Sequence, residues 1–277
     1  MVEPQGRQPS PTRRAPGRRR ERPPPSLSEG EIAHVRSLVI CEDAAILAID
    51  KPSGLSSQGG RGQVNTLDEL LYAFARPDGR RPQLVHRLDR DTSGVILAAK
   101  TKPAAGALGK AFAARAVRKT YLALVPPGEA ASGVIDAPLR REEAGREAYM
   151  RIAAPGAGGA EPALTRFRTL ARGPAGALVE VRPETGRMHQ IRVHMAHIGR
   201  PLFGDVRYGG ALTAGGAPAP RLMLHALAID APHPAGGRRR YAAPPPADMA
   251  EVARACGIDL ARAVAPLLDE PSSPQQG

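Results

Sequence analysis

Residues 84–100 read LVHRLDRDTSGVILAAK. The second half is an apolar run of the length and composition of a buried β-strand, expected over 94–100. The first half crowds His86, Arg87, Asp89, Arg90, Asp91, Thr92 and Ser93 into a short polar loop directly before that strand. Loops positioned by a rigid strand are where catalytic side chains are commonly displayed. Asp89 is bracketed by Arg87 and Arg90, a setting that favours its ionised form even under partial burial. An ionised carboxylate beside cations can act as a nucleophile, or stabilise a developing sugar cation as glycosidase carboxylates do. The same Asp, Thr and Ser residues also suit turn capping, and the loop alone does not separate the two readings.

Outward from this segment, short β-type runs alternate with Gly/Pro punctuation. Strands are expected at 45–50 (AILAID), 119–125 (KTYLALV), 164–170, 177–182 and 222–230, and helices at 102–116, 188–198 and 247–256, the last after Pro244-Pro245-Pro246. The pattern predicts an α+β fold on a mixed, mainly antiparallel sheet with flanking helices. The Gly/Ala-rich stretches 153–160 and 209–219 read as exposed loops. Residues 1–30, with seven Pro and seven Arg, are too poor in apolar side chains to fold and read as a basic arm. Residues 269–277 read as a free tail, leaving one folded domain over 31–268.

The chain carries 39 Lys+Arg against 27 Asp+Glu, a formal +12 that favours a polyanionic partner such as nucleic acid. Cys41 and Cys256 belong to no metal-ligand or disulfide spacing, so a reducing cytoplasm is the expected compartment. No stretch has the length of a membrane span, and no apolar h-region follows the N-terminal arginines. With five Tyr, four Phe and no Trp, a stacking platform for several bases is not expected, and a single well-placed ring carries more weight. Tyr121 shares a strand face with Ala123 and Val125, opposite Thr120, Leu122 and Leu124.

A second polar cluster, ETGRMHQIRVHMAH at 184–197, holds Arg187, His189, Gln190, Arg192, His194 and His197. His194 and His197 lack the spacing of a zinc motif, so a metal-dependent hydrolase is disfavoured. Arg187 and Arg192 fit better as groups that hold phosphate or neutralise a carboxylate.

Taken in order, these segments resemble the RluA family of pseudouridine synthases. The pieces that carry the resemblance are IDKPSGLSSQGG, LVHRLDRDTSGVILAAKT, RKTYLALV, ETGRMHQIRVHMAHIGRPLFGDVRYGG, LMLHALAI and YAAPPPADM, spanning about 45–248. The resemblance implies isomerisation of uridine to pseudouridine in RNA without cofactor or metal. It implies that Asp89 is the nucleophile, that Tyr121 stacks on the target base and serves in proton transfer, and that Arg192 pairs with the aspartate. It places Arg87 on the flipped nucleotide, Leu224 in an apolar wall, and Arg187, His189 and Gln190 among the RNA contacts. The first segment looks more like members acting on large-subunit (23S) rRNA than like those acting on tRNA. Thirty basic, Pro-rich residues cannot form the S4-like module that many rRNA members carry. The expected partner is thus RNA, with rRNA ahead of tRNA, and the expected state is a monomer away from membranes. A non-enzymatic RNA-binding protein would share the charge but would not need HRLDxxTSG beside TYLALV.

Overall fold

The computed structural model describes residues 25–59, 65–145, 147–154 and 156–271. Most of the basic arm and of the tail lies outside these. Fifteen strands form among the described residues: β1 (Val39–Glu42), β2 (Ile46–Lys51), β3 (Gln83–Leu84), β4 (Ser93–Ala99), β5 (Arg118–Val125), β6 (Ser132–Asp136), β7 (Leu139–Ala144), β8 (Glu147–Ile152), β9 (Ala160–Glu161), β10 (Leu164–Gly173), β11 (Gly176–Pro183), β12 (Thr213–Ala214), β13 (Ala217–Pro218), β14 (Leu224–Pro232) and β15 (Arg238–Ala242). The helices are α1 (Glu29–Ser37), α2 (Leu67–Leu70), α3 (Lys102–Ala113), α4 (Gln190–His197), α5 (Ala247–Ala255) and α6 (Leu260–Leu268). This is the expected α+β architecture. No described helix is long and apolar enough to cross a membrane.

Ten strands make one sheet in the order β1-β2-β4-β14-β5-β11-β10-β6, with β3 beside β4 and β15 beside β14. All its pairings are antiparallel except β4 with β14, which touch in parallel at Ser93–His225 and Gly94–Ala226. Every residue of β4 is buried, as its unbroken apolar run requires of a strand covered on both faces. In β5 the alternation sorts as expected. Leu122 and Leu124 pack with Met249, Val252, Leu260 and Val264 of α5 and α6, while Ala123 and Val125 face Ile191 and Met195 of α4. Across the parallel seam, α3 covers one face of β2 and β4 through Ala104 and Leu108, and Val35, Leu67 and Leu71 cover the other.

Several elements depart from expectation. Helix α1 begins at Glu29, inside the stretch read as an arm, because Ser28 and Glu31 form a reciprocal capping box. Its single fully buried residue, Val35, leaves little apolar period to read. Helix α6 repeats Leu260, Val264 and Leu267 at helical spacing, a signal obscured by Pro266 within it. Half of the residues of the hairpin β7–β8 are charged, and it is held in part by the cross-strand ion pair Arg151–Glu142 at 2.8 Å. Residues 209–219 are not wholly an exposed loop, since β12 and β13 pair there and Ala214 and Ala219 are buried.

The seam demands a glycine. Gly94 has φ +109°, and a Cβ there would lie 2.2 Å from the carbonyl oxygen of Ala226. Gly94→Ala therefore combines a disfavoured backbone with a backbone clash, and should cost about 2–4 kcal/mol in urea unfolding. Stability within a few tenths of wild type would show that the seam can open without penalty.

Candidate active site

The loop that carries Asp89 is clamped from one side by residues 51–57. Ser57 Oγ donates to the carbonyl of Leu88 at 2.7 Å and accepts from the Leu88 N–H at 3.0 Å. The Arg90 carbonyl accepts from Lys51 Nζ at 3.0 Å and from the Gly54 N–H at 2.9 Å, and Ser53 Oγ donates to the Asp91 carbonyl at 2.8 Å. Lys51 is fully buried and also donates to the carbonyls of Pro52 and Leu55, so its three protons each find an acceptor. Burial pushes its pKa down to about 8, against the attraction of Asp91 and Asp89. In the sequence this segment served only the resemblance to members acting on large-subunit rRNA, and Lys51 had no part in the site. A buried lysine that ties three loop carbonyls together leaves no trace in composition or period.

This clamp sends the two aspartates different ways. Asp91 makes an exposed pair with Arg90 at 2.8 Å, whereas Asp89, its side chain 20 % exposed, lines a cavity of about 610 Å3. Cavities of roughly 300–1,000 Å3 are typical of ligand sites. Tyr121, Leu224, Arg87, Arg187, His189 and Arg192 line the same cavity. With Gln190, which also lines it, the eight site residues expected from the sequence converge from four stretches of the chain. Burial, and then the charge of Asp89, push the Tyr121 pKa upward, so its hydroxyl holds its proton at neutral pH.

The cation opposite Asp89 is arranged differently from expectation. Arg192 NH1 lies 4.0 Å from Asp89 Oδ2, a contact without a hydrogen bond. Its bidentate partner is Asp205, at 2.8 Å through Nε and 2.7 Å through NH2. Asp205 is fully buried and also accepts from the N–H groups of Arg207 and Tyr208. The Tyr208 ring lies 5.0 Å from the guanidinium carbon, and its hydroxyl bonds His189 Nδ1 at 2.8 Å. Asp205 and Tyr208 thus hold Arg192 in place with NH1 toward Asp89. Neither was picked out from the sequence, because they touch Arg192 only after the turn at 202–210 packs on α4.

Gln190 was expected to contact RNA. It is buried, its oxygen accepts from Thr185 Oγ1 and the Arg187 N–H, and its nitrogen donates to the Leu164 carbonyl and Thr165 Oγ1. Its amide is saturated by these bonds and holds the turn into α4, while the residue also lines the cavity. His194 is likewise used internally, between Thr165 Oγ1 and the Ala137 carbonyl. His189, in the left-handed region at φ 52°, stands at the N-cap position of α4 without a side-chain capping bond and lines the cavity; burial lowers its pKa against the pull of Asp89. Arg187 pairs with Glu161 at the rim.

A family model described as RNA pseudouridylate synthase matches residues 45–197. The chain belongs to that family. It is 40 % identical over 216 residues to the ribosomal large subunit pseudouridine synthase C of Escherichia coli K12, covering 75 % of this chain and 66 % of that protein. It is 39 % identical over 221 residues to the protein of the same name from Vibrio cholerae, covering 78 % and 68 %. The chain thus spans about two thirds of the length of these relatives. Among solved structures, human RNA pseudouridylate synthase domain containing 4 matches with a TM-score of 0.70 at 24 % identity, over 82 % of this chain and 97 % of that one. Domain containing 1 matches with a TM-score of 0.65 at 27 % identity, over 85 % and 96 %.

The geometry separates structural from chemical carboxylates. Arg192→Met strands the buried Asp205 and should cost about 3–5 kcal/mol, while Asp89→Asn, at a partly exposed position without a hydrogen-bonded ion pair, should cost under about 1 kcal/mol. Guanidinium unfolding of both variants checks this, and equal losses would mean that Asp89, not Asp205, is the main partner of Arg192.

Proposed function

We propose that this protein isomerises uridine to pseudouridine in RNA, with large-subunit rRNA as the substrate and Asp89 as the nucleophile. The observation that carries the reading is the convergence of Asp89, Tyr121 and Arg192 on one cavity, reached from a loop, a strand and a helix. The large-subunit substrate rests on the names of the relatives above. The basic balance of the chain suits any RNA, tRNA included.

A uridine stacked in a helix hides its glycosidic bond, so the target nucleotide leaves its stack, at a cost of a few kcal/mol that pocket contacts offset. Leu224, Ile191 and Met188 give part of the cavity an apolar wall, and Tyr121 offers a ring to the base. As the N1–C1′ bond breaks, the Asp89 carboxylate attacks C1′ or stabilises its positive charge. Arg192 NH1, 4.0 Å away, sets positive charge beside that carboxylate. The freed uracil stays in the pocket and turns. C5 then bonds C1′ as the carboxylate leaves, C5 loses its proton and N1 gains one, so no atoms enter or leave. Because Tyr121 rests protonated, its first role is as a stacking wall and proton donor; service as a base would require its pKa to fall once RNA is bound.

Asp89→Asn should abolish pseudouridine formation in a 23S rRNA transcript while leaving most RNA affinity, since it removes the nucleophile with almost no change of volume. Asp91→Asn, at an exposed pair outside the cavity, should stay within a few-fold of wild type. Mapping of pseudouridine after incubation with each variant reads both, and an active Asp89→Asn protein would overturn the assignment. Tyr121→Phe should keep half-saturation close to wild type yet slow single turnover by roughly 10²-fold. An unchanged rate would confine the residue to stacking.

A further inference from the structure

The cavity does not end at the catalytic groups. It is lined as well by Phe112, Ala113 and Arg115 at and just past the end of α3, by Val117 and Lys119 around the start of β5, and by residues 183–187. We propose that Arg115 and Lys119 extend the contact expected of Arg87 into a clamp for the backbone phosphates flanking the target uridine. The proposal rests on the uridine-isomerase reading of the inner pocket.

The first support is electrostatic. Lys119 is half-buried, and its Nζ makes one hydrogen bond, to the Thr185 carbonyl at 3.1 Å. An ammonium has three protons to give, so two point at no acceptor among the described residues. Burial pushes its pKa down to about 8, with no carboxylate partner to offset the cost. Arg87 and Arg115 are exposed at the same cavity, and no described residue pairs with either guanidinium. Two acidic groups nearby are already paired. Glu184 takes Arg166 at 2.5 Å, and Glu161 takes Arg187. Three cations without counterions around the mouth of a pocket suit a ligand that brings its own negative charge. A flipped nucleotide leaves its phosphates at the mouth while its base goes inside.

The second support is conformational. Arg115 sits just past the end of α3 at φ 57°, with its N–H on the Phe112 carbonyl and the Ala116 N–H on the Ala111 carbonyl. This is the left-handed helix stop at which glycine is favoured, and the fold would accept glycine there more easily than arginine. The side chain of Arg115 is therefore not needed for the turn. A long cation held in a disfavoured backbone at a pocket rim fits a binding role. His86, stacked on Phe112 at 4.7 Å, adds no charge: its Nε2 accepts from the Leu97 N–H, and burial pushes its pKa down to about 3.

The test compares wild type, Arg115→Gly, Arg115→Lys and Lys119→Met on a 23S rRNA transcript, by binding titrations at several salt concentrations and by single-turnover pseudouridine formation. Arg115→Gly should keep or raise the melting temperature. At the same time its slope of log affinity against log salt should become shallower by about 0.7, the value for one lost single-strand phosphate contact. Half-saturation should move several-fold toward higher RNA, more than the rate at saturation changes, and Arg115→Lys should restore the slope. Lys119→Met should show the same shallower slope. An active wild type whose slope and half-saturation are unchanged in both Arg115→Gly and Lys119→Met overturns the clamp alone. A wild type that forms no pseudouridine in rRNA or tRNA overturns the underlying reading, and the clamp with it.

Discussion

The parallel contact between β4 and β14 is the constraint on which the site depends. Ala226 of β14 pairs with Gly94 on one side and with Tyr121 of β5 on the other. One row of the sheet therefore sets the strand that follows the Asp89 loop against the strand that bears the tyrosine. The backbones approach so closely there that no Cβ fits at Gly94. Ser93 and His225 secure the adjacent row: Ser93 Oγ bonds His225 Nδ1 at 2.9 Å, and His225 Nε2 bonds the Ala243 carbonyl at 2.9 Å. Burial pushes the His225 pKa down to about 4, so the ring is neutral, accepts at Nδ1 and donates at Nε2. A shift of this seam by one residue would move Asp89 out of register with Tyr121 and turn alternate side chains to the other face.

Around that row, buried charge is used for positioning. Lys51 ties the loop carbonyls, and Asp205 fixes Arg192; both are fully buried and fully bonded, as buried charges must be to be tolerated. Asp89 differs from both. It keeps partial exposure and only a 4.0 Å contact with its cation, so its oxygens remain open toward the cavity. A carboxylate locked in a bidentate pair would be stable but poorly disposed to attack. The bidentate partner is Asp205, and that division of labour leaves one carboxylate structural and the other chemically available.

The likeness to the human synthase-domain structures persists at 24 % and 27 % identity. A sheet of this kind tolerates such divergence because most of its positions need only an apolar side chain of about the right size. The positions that need one particular residue are few: a glycine at the seam, a lysine under the loop, and the Arg192–Asp205 pair behind the cavity.

Much of this was legible in the sequence. Period-two runs placed β2, β4, β5, β10, β11 and β14 to within a few residues, because an alternating or continuous apolar pattern has few other ways to be buried. The residues alone marked two polar clusters and left their role open; the resemblance carried by the ordered motifs pointed to Asp89, Tyr121 and Arg192. Helix α1, the charged hairpin β7–β8 and the role of Gln190 were not legible, because a capping box, a cross-strand ion pair and a buried amide are stabilised by partners rather than by period. By itself the sequence determined the fold class, the family and the residue types of the site. Only the tertiary structure decided which aspartate faces the cavity, which carboxylate holds Arg192 and which cations stand without counterions, since each of these depends on groups brought within 4 Å from distant parts of the chain.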